Sequence, residues 1–180
     1  MVPVDEHLIT RAQSGDADAF DALLSRSDAR VIQIVQGITG NMPDALDVFQ
    51  NAALKAWRSL SGFRADSSFD TWLTRIAINE ALSHRKKAAR LRAVPLDDVC
   101  GPVLEEATAS PDAGLLREDA ERGLAAAMAN LSSREHTVFI LKHVHDYKIR
   151  EIAAMLDCAE GTVKNYLFRA VHKLRKHLSS

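Results

Sequence analysis

Hydrophobic positions recur along this chain at spacings of three and four, the period of a helix with one buried side. Phe20, Leu23 and Leu24 follow it, and so do Val31, Ile34, Val35 and Ile38. Gly37 and the stretch from Gly40 to Pro43 predict a break in that run. Pro43 suits the first turn of a new helix, where a missing N–H costs nothing, and it biases Met42 toward an extended conformation. The new helix carries Ala45, Val48, Phe49, Ala52, Ala56 and Trp57 on one side. A Ser-rich loop with Gly62 spans Ser61 to Ser68, and a further helix begins near Ser68, with Trp72, Leu73, Ile76 and Ala77 as its buried positions. Helical rhythm returns with Leu116, Ala120, Leu124, Ala127, Met128 and Leu131. No alternating strand pattern bounded by hairpin turns appears, so the expected class is all-α.

Between Ala93 and Gly114 the pattern lapses. Pro95, Pro102, Pro111, Gly101 and Gly114 interrupt any long helix, and acidic residues gather. This predicts a flexible acidic linker over 93–114, with a short helical piece near Val103 to Ala107, between two small helical domains at 1–92 and 115–180.

The sharpest local pattern is at the C-terminal end. Ile149, Ile152, Ala153 and Leu156 form the stripe of one short helix, Asp157 and Cys158 a tight turn, and a second helix begins near Glu160. Val163, Leu167, Ala170 and Leu174 give that second helix a buried seam, which leaves Thr162, Asn165, Arg169 and Lys173 on the wet side, flanked by Lys164 and His172. Two helices joined by a short turn make the DNA-reading helix-turn-helix, whose second helix enters the major groove. Asn pairs with adenine and Arg with guanine there, while Thr and Lys suit phosphates or bases. An ordinary helical hairpin with a soluble outer face has the same pattern.

Charge changes the picture. The 180-residue chain has a net charge of −1 and a charged fraction of 26%, which argues against a polyanion partner only on average. Arg75 to Arg92 holds six Lys/Arg and one acid, and Ala159 to Ser180 holds five and one; Ala93 to Arg122 between them holds eight acids and two bases. Two basic segments flanking an acidic one are either two places where phosphates sit or two solvated helix faces.

The remaining composition mostly excludes. Apolar residues at 47% suffice for a core, and no apolar run approaches the roughly 20 residues of a membrane span. The start, with Asp5 and Glu6, does not read as a secretory signal. Cys100 and Cys158 are too few for a disulfide framework, which fits a reducing cytoplasm. His136, His143, His145, His172 and His177 have no metal-ligand spacing, so no metal and no cofactor are expected.

With these patterns in hand, the residues resemble a family: the extracytoplasmic-function (ECF) group of bacterial RNA polymerase sigma factors, in the sigma-70 family. Glu151-Ile152-Ala153, Gly161-Thr162-Val163-Lys164, Arg169-Ala170 and Leu174-Arg175 are similar to its last region, with Leu131 to Glu135 and Val138-Phe139 as the lead-in. Ala12 to Asp16 with Ala19-Phe20 resembles the opening helix. Asp44-Ala45 with Asp47 and Gln50 resembles the core-binding helix. Phe63-Arg64, Ser67-Ser68-Phe69, Thr71-Trp72-Leu73 and Arg75-Ile76-Ala77 with Asn79 resemble the promoter-melting segment. The match runs in order from about Asp5 to Leu178. In four places the chain departs from the family pattern: Leu46 and Asn51 stand where acids are usual, Ser132 replaces a usual proline, and Asn165-Tyr166 stands where small-then-basic is common.

The resemblance implies a subunit that binds core RNA polymerase, directs it to promoters and helps open the duplex, without catalytic residues. It implies that Phe63, Ser67, Ser68, Arg75 and Asn79 meet the melted minus-ten strand, with His84, Arg85, Lys86, Lys87 and Arg90 on its phosphates. Thr162, Lys164, Asn165, Arg169 and Lys173 would meet the minus-thirty-five duplex, and Asp44, Asp47, Gln50, Asn51 and Leu54 the polymerase. Phe69 and Trp72 read as core packing. The resemblance also implies an anti-sigma protein as a partner, and no membrane insertion of the chain's own. Two other classes stand beside it: a stand-alone helix-turn-helix repressor or activator, and a nuclease. A nuclease needs clustered carboxylates for metal ions, and only Asp97-Asp98 in the linker comes close.

Overall fold

The structure, a computed structural model, describes residues 3–92, 127, 128 and 130–178. The expected linker over 93–114 and the start of the second domain at 115 lie outside the described residues. Among the described residues there are seven α-helices and no strand, as the all-α reading expects.

Helix α1 spans Pro3–Gln13 and α2 spans Ala17–Thr39. The turn between them is set by Gly15, at φ 97°, and by Asp16, whose side chain accepts the Ala19 N–H as an N-cap. Arg11 closes on Asp16 at 2.6 Å. Gly40, at φ 91°, ends α2 by donating its N–H to the Gln36 carbonyl. Gly37 does not break the helix as expected; it lies inside α2, where a Cβ would come within 3.1 Å of Ile140 Cγ2. Its missing side chain serves close packing between helices rather than chain reversal.

Helix α3 spans Met42–Ser59. Asn41, not Met42, is the extended residue, because its side chain accepts the Asp44 N–H at 2.8 Å and caps the helix ahead of Pro43. Ala45, Val48, Ala52 and Ala56 form the buried face of α3, and the three alanines bring its backbone close to α2 and α4. A 3₁₀ turn, Leu60–Gly62, follows, and the Gln13 amide donates to the carbonyls of Leu60 (3.0 Å) and Phe63 (2.9 Å), tying α1 to this corner. Helix α4 spans Phe69–Arg92 and buries Phe69, Leu73, Ala77, Ile78 and Ala81; Trp72 and Ile76 are only half-buried.

In the C-terminal unit, α5 spans Ser133–His143, α6 spans Ile149–Leu156 and α7 spans Glu160–Leu178. Ser132 opens α5 with a capping box: its hydroxyl accepts the Glu135 N–H, and the Glu135 carboxylate accepts the Ser132 N–H. The serine thus performs locally what a proline cannot. Asp157, at φ 51°, turns the chain from α6 toward α7, and the Cys158 N–H reaches the Ala153 carbonyl. Ala127, Leu131, Ala170 and Leu174, with Met128 and Phe139 beside them, pack α7 onto α5.

The two units share a core. Val138, Leu141, Tyr147, Ile152, Ala153 and Met155 belong to the same apolar cluster as Val31, Ile34, Ile38 and Ile78. Helix α5 lies against α2 and α6 against α4. The sequence pattern, which predicts two cores, contains no sign of this seam.

Candidate nucleic-acid interface

The N-terminal unit raises its exposed chemistry on a base of aromatic rings. Phe20, Trp57, Phe63, Phe69 and Trp72 meet at centroid distances from 4.9 Å (Phe63–Trp72) to 6.3 Å (Phe63–Phe69), in tilted and edge-on pairs. Phe63 is 7% exposed, so its ring supports the loop from below. Above it, residues 64–68 are exposed, with Ala65 at φ 56° and Arg64 3.6 Å from Asp66. Ser68 is held at the helix start, its Oγ accepting the Thr71 N–H and lying 2.9 Å from the Thr71 hydroxyl; Ser67 is exposed beside it.

Along α4, Arg75 and Asn79 are exposed one turn apart and share their side with Lys86. Trp72 is half-buried and packs against the core as expected, and it also borders that same side, which gives the polar stripe a flat apolar wall. Lys87 is exposed farther round. The other members of the basic run point elsewhere. His84 approaches Asp44 of α3 at 3.9 Å. Arg85 turns about a quarter-turn away from Arg75, and its Nη1 donates to the Ile38 carbonyl at 2.7 Å and lies 3.2 Å from His136 Nδ1. The Arg90 side chain lies outside the described residues.

On the C-terminal unit, Val163, Ala170 and Leu174 are buried and Leu167 half-buried, the seam expected for α7. Lys164, Asn165 and Arg169 are exposed, and Thr162 is half-buried at the N-terminal turn. Lys173 is engaged within the fold: its Nζ donates to Glu135 Oε2 at 2.7 Å. Burial works against the Glu135 charge, yet Lys173 and the Ser132 N–H hold its carboxyl below the usual range. The pattern missed Phe168, which is 74% exposed between Lys164 and His172 and stacks loosely on the His172 ring, with centroids 6.3 Å apart. Its only sequence signal is a large apolar side chain off the buried seam.

Helix α3 presents a third surface. Asp47, Gln50, Asn51 and Leu54 are exposed on one side and Asp44 is half-exposed at the first turn. Exposed Met42 and Leu46 adjoin them, and Leu54 is 55% exposed, so the strip mixes carboxylates with apolar side chains.

The Sigma-70 region 2 family model matches residues 23–91, and the Sigma-70, region 4 model matches 121–174. The chain belongs to the sigma-70 family of RNA polymerase sigma factors, in its ECF group. It is 33% identical over 182 residues to the RNA polymerase sigma-H factor of Pseudomonas aeruginosa, covering 97% of this chain and 93% of that one. It is 34% identical over 177 residues to the ECF RNA polymerase sigma-E factor of Escherichia coli strain K12, covering 92% and 90%. Among solved structures it resembles CnrH in complex with the cytosolic domain of CnrY, with a TM-score of 0.66, 26% identity and 98% of each chain covered. The fold also matches the sigma factor RpoE of Bartonella quintana, at a TM-score of 0.63 and 24% identity over 89% of this chain and 96% of that one. Sigma factors in general are not catalytic enzymes, and membership of this family favours the sigma-factor reading over a stand-alone repressor or activator. Among the described residues no helix is long and apolar enough to cross a membrane.

Proposed function

We propose a division of labour among the three surfaces of this sigma factor, which binds core RNA polymerase, directs it to promoters and helps open the duplex. The α4 stripe of Arg75 and Asn79, with Ser67 and Ser68 on the adjoining loop, takes the unpaired minus-ten strand. Trp72 offers the stacking wall, and Lys86 and Lys87 hold phosphates. The α7 residues Lys164, Asn165 and Arg169, with Thr162 at the helix start, read the minus-thirty-five duplex in the major groove. The α3 strip of Asp44, Asp47, Gln50, Asn51 and Leu54 docks on core polymerase. In this reading residues 1–92 form the first domain, 93–114 the linker and 115–180 the second.

The observation that carries the proposal is the α4 stripe. An amide and a guanidinium stand exposed one turn apart, beside a half-open indole, on a helix whose opposite side is buried in the core. Such a surface offers hydrogen bonds and a stacking plane to a base that has left its pair, and nothing comparable to a closed duplex. Opening then follows from preferential binding of the melted state, without a catalytic residue. The chain acts in the cytoplasm, where polymerase and promoters are, and an anti-sigma protein is a fitting regulator. The test is reconstitution with core polymerase. The chain is expected to be captured by core and to direct it to a discrete set of promoters, but not to bind a palindromic duplex tightly by itself. Tight autonomous binding without core capture would refute the proposal.

A further inference from the structure

Helix α3 carries a charge pattern that inverts about its middle. Asp44, Asp47, Asn51, Leu54, Lys55 and Arg58 recur at spacings of three and four, on the side of the helix away from the buried Ala45, Val48, Ala52 and Ala56. All are exposed except Asp44, which is half-exposed. Asp44 and Asp47 lie seven and four residues before Asn51, and Lys55 and Arg58 lie four and seven residues after it. An acid in the first turn and a base in the last suit the helix dipole, but that effect fades within a turn and does not account for Asp47 and Lys55. Asp44 and Lys55 have neighbours on α4, His84 at 3.9 Å and Glu80. Among the described residues the Asp47 carboxylate and the Arg58 guanidinium have no ion-pair partner.

Such a face is complementary to itself. When two copies of α3 lie antiparallel with Asn51 on the twofold axis, Asp47 of each faces Lys55 of the other, and Asp44 of each faces Arg58 of the other. The paired positions extend over about 21 Å of helix at 1.5 Å per residue. A parallel pair would set acid on acid and base on base. An amide is the side chain that the axis needs, because a carboxylate there would face its own copy. Asn51 Nδ2 donates to the Asp47 carbonyl at 2.9 Å, and its second N–H and its oxygen can donate to and accept from the same amide across the axis. Leu54, 55% exposed, flanks the axis and leaves water on pairing. We propose that this face of α3 binds a second copy of the chain in an antiparallel, isologous pair. An interface built on one helix falls at the small end of the range, so the association is weak and transient. The pair withholds α3 from core polymerase until core displaces it, a consequence that rests on the polymerase contact proposed above for the same helix.

Sedimentation velocity of the full chain over a concentration series reads the pairing without polymerase. The wild type is expected to shift from monomer toward dimer in the high micromolar range, and less so at high salt. Arg58→Glu sets acid against acid and Asp44→Lys sets base against base, so each variant alone is expected to dimerise several-fold more weakly, with circular dichroism unchanged. Mixed together, the two are expected to pair as well as the wild type, because every contact in the mixed dimer is again of opposite sign. Asn51→Asp, which puts a charge on the axis, is expected to weaken the pair by itself. A wild type that stays monomeric at every concentration, or a mixture that does not recover pairing, would overturn the proposal. Adding core polymerase is expected to dissolve the wild-type dimer and leave one chain per polymerase. A dimer retained on core would refute the shared face, whereas a normal dimer in a chain that core does not capture would uphold the pairing and sink the polymerase contact beneath it.

Discussion

At the residue scale, opposite demands on duplex and single strand separate two side chains. Arg169 is exposed on the wet side of α7, opposite the Val163–Ala170–Leu174 seam, and Asn79 is exposed on α4 beside Trp72. Arg169→Ala is expected to weaken binding of the upstream duplex by about 1–3 kcal/mol if its fork pairs with a guanine, while leaving transcription from a premelted template nearly intact. Asn79→Ala is expected to do the reverse, sparing duplex association and impairing transcription from a closed template. Measuring both variants on both templates checks the assignment, and equal losses everywhere would refute it. Phe168 supplies a companion expectation. Its large exposed apolar surface does not help to fold α7, so Phe168→Ala should leave thermal stability unchanged yet reduce duplex affinity. The seam of α7 was legible from spacing alone, because buried positions obey the helical period. The commitment of Lys173 to Glu135 was not, because those residues are 38 apart and only the packing of α7 on α5 brings them together.

At the element scale, helix ends carry much of the specification. The capping box of Ser132 and Glu135 satisfies N–H groups at the start of α5, and Lys173 fastens the same carboxylate to α7. Ser132→Ala is therefore expected to destabilise the chain by about 0.5–2 kcal/mol, read as a lower midpoint in urea with an unchanged slope. Helix α3 offers a functional counterpart. Its buried face is Ala45, Val48, Ala52 and Ala56, so charge reversal at exposed Asp47 and half-exposed Asp44 acts on the outer side. Asp44→Lys with Asp47→Lys is expected to weaken core polymerase binding at least tenfold in a competition assay while helicity is kept; unchanged affinity would remove α3 from that interface. The break predicted at Gly37 failed for an instructive reason. Glycine was read as punctuation, whereas here it makes room for Ile140, a distant residue that periodicity within α2 does not reveal.

At the scale of the whole molecule, the seam makes stability depend on pH. Burial first, and the Arg85 charge second, push the His136 imidazole down from 6.5 to about 4. His145 is lowered too, by burial and by Arg30. A histidine whose folded value is depressed binds protons more readily when the chain unfolds. Its contribution to the folded form is thus fully present above about pH 6.5 and is lost as pH falls toward 4. The chain is expected to lose stability through that window, and His136→Gln to flatten the dependence. Unfolding midpoints across the window, for both chains, check this; a wild-type midpoint that does not fall from pH 6.5 to 4 would contradict it.

The sequence alone determined the helical elements, the helix-turn-helix and the family, because these depend on local periodicity, turn chemistry and motifs whose order survives along the chain. It also placed the basic run on α4. Only the tertiary structure decided what that run meets: Lys86 is left exposed on the side of Arg75 and Asn79, His84 lies against Asp44, and Arg85 enters the seam. Within one helix, residues a single position apart differ by 100° in direction, so neighbours in sequence serve different surfaces once other helices pack around them. What surrounds each direction is set by long-range burial, as where Ile140 meets Gly37 and Tyr147 lies beneath Arg30, and that information is not carried by any local window.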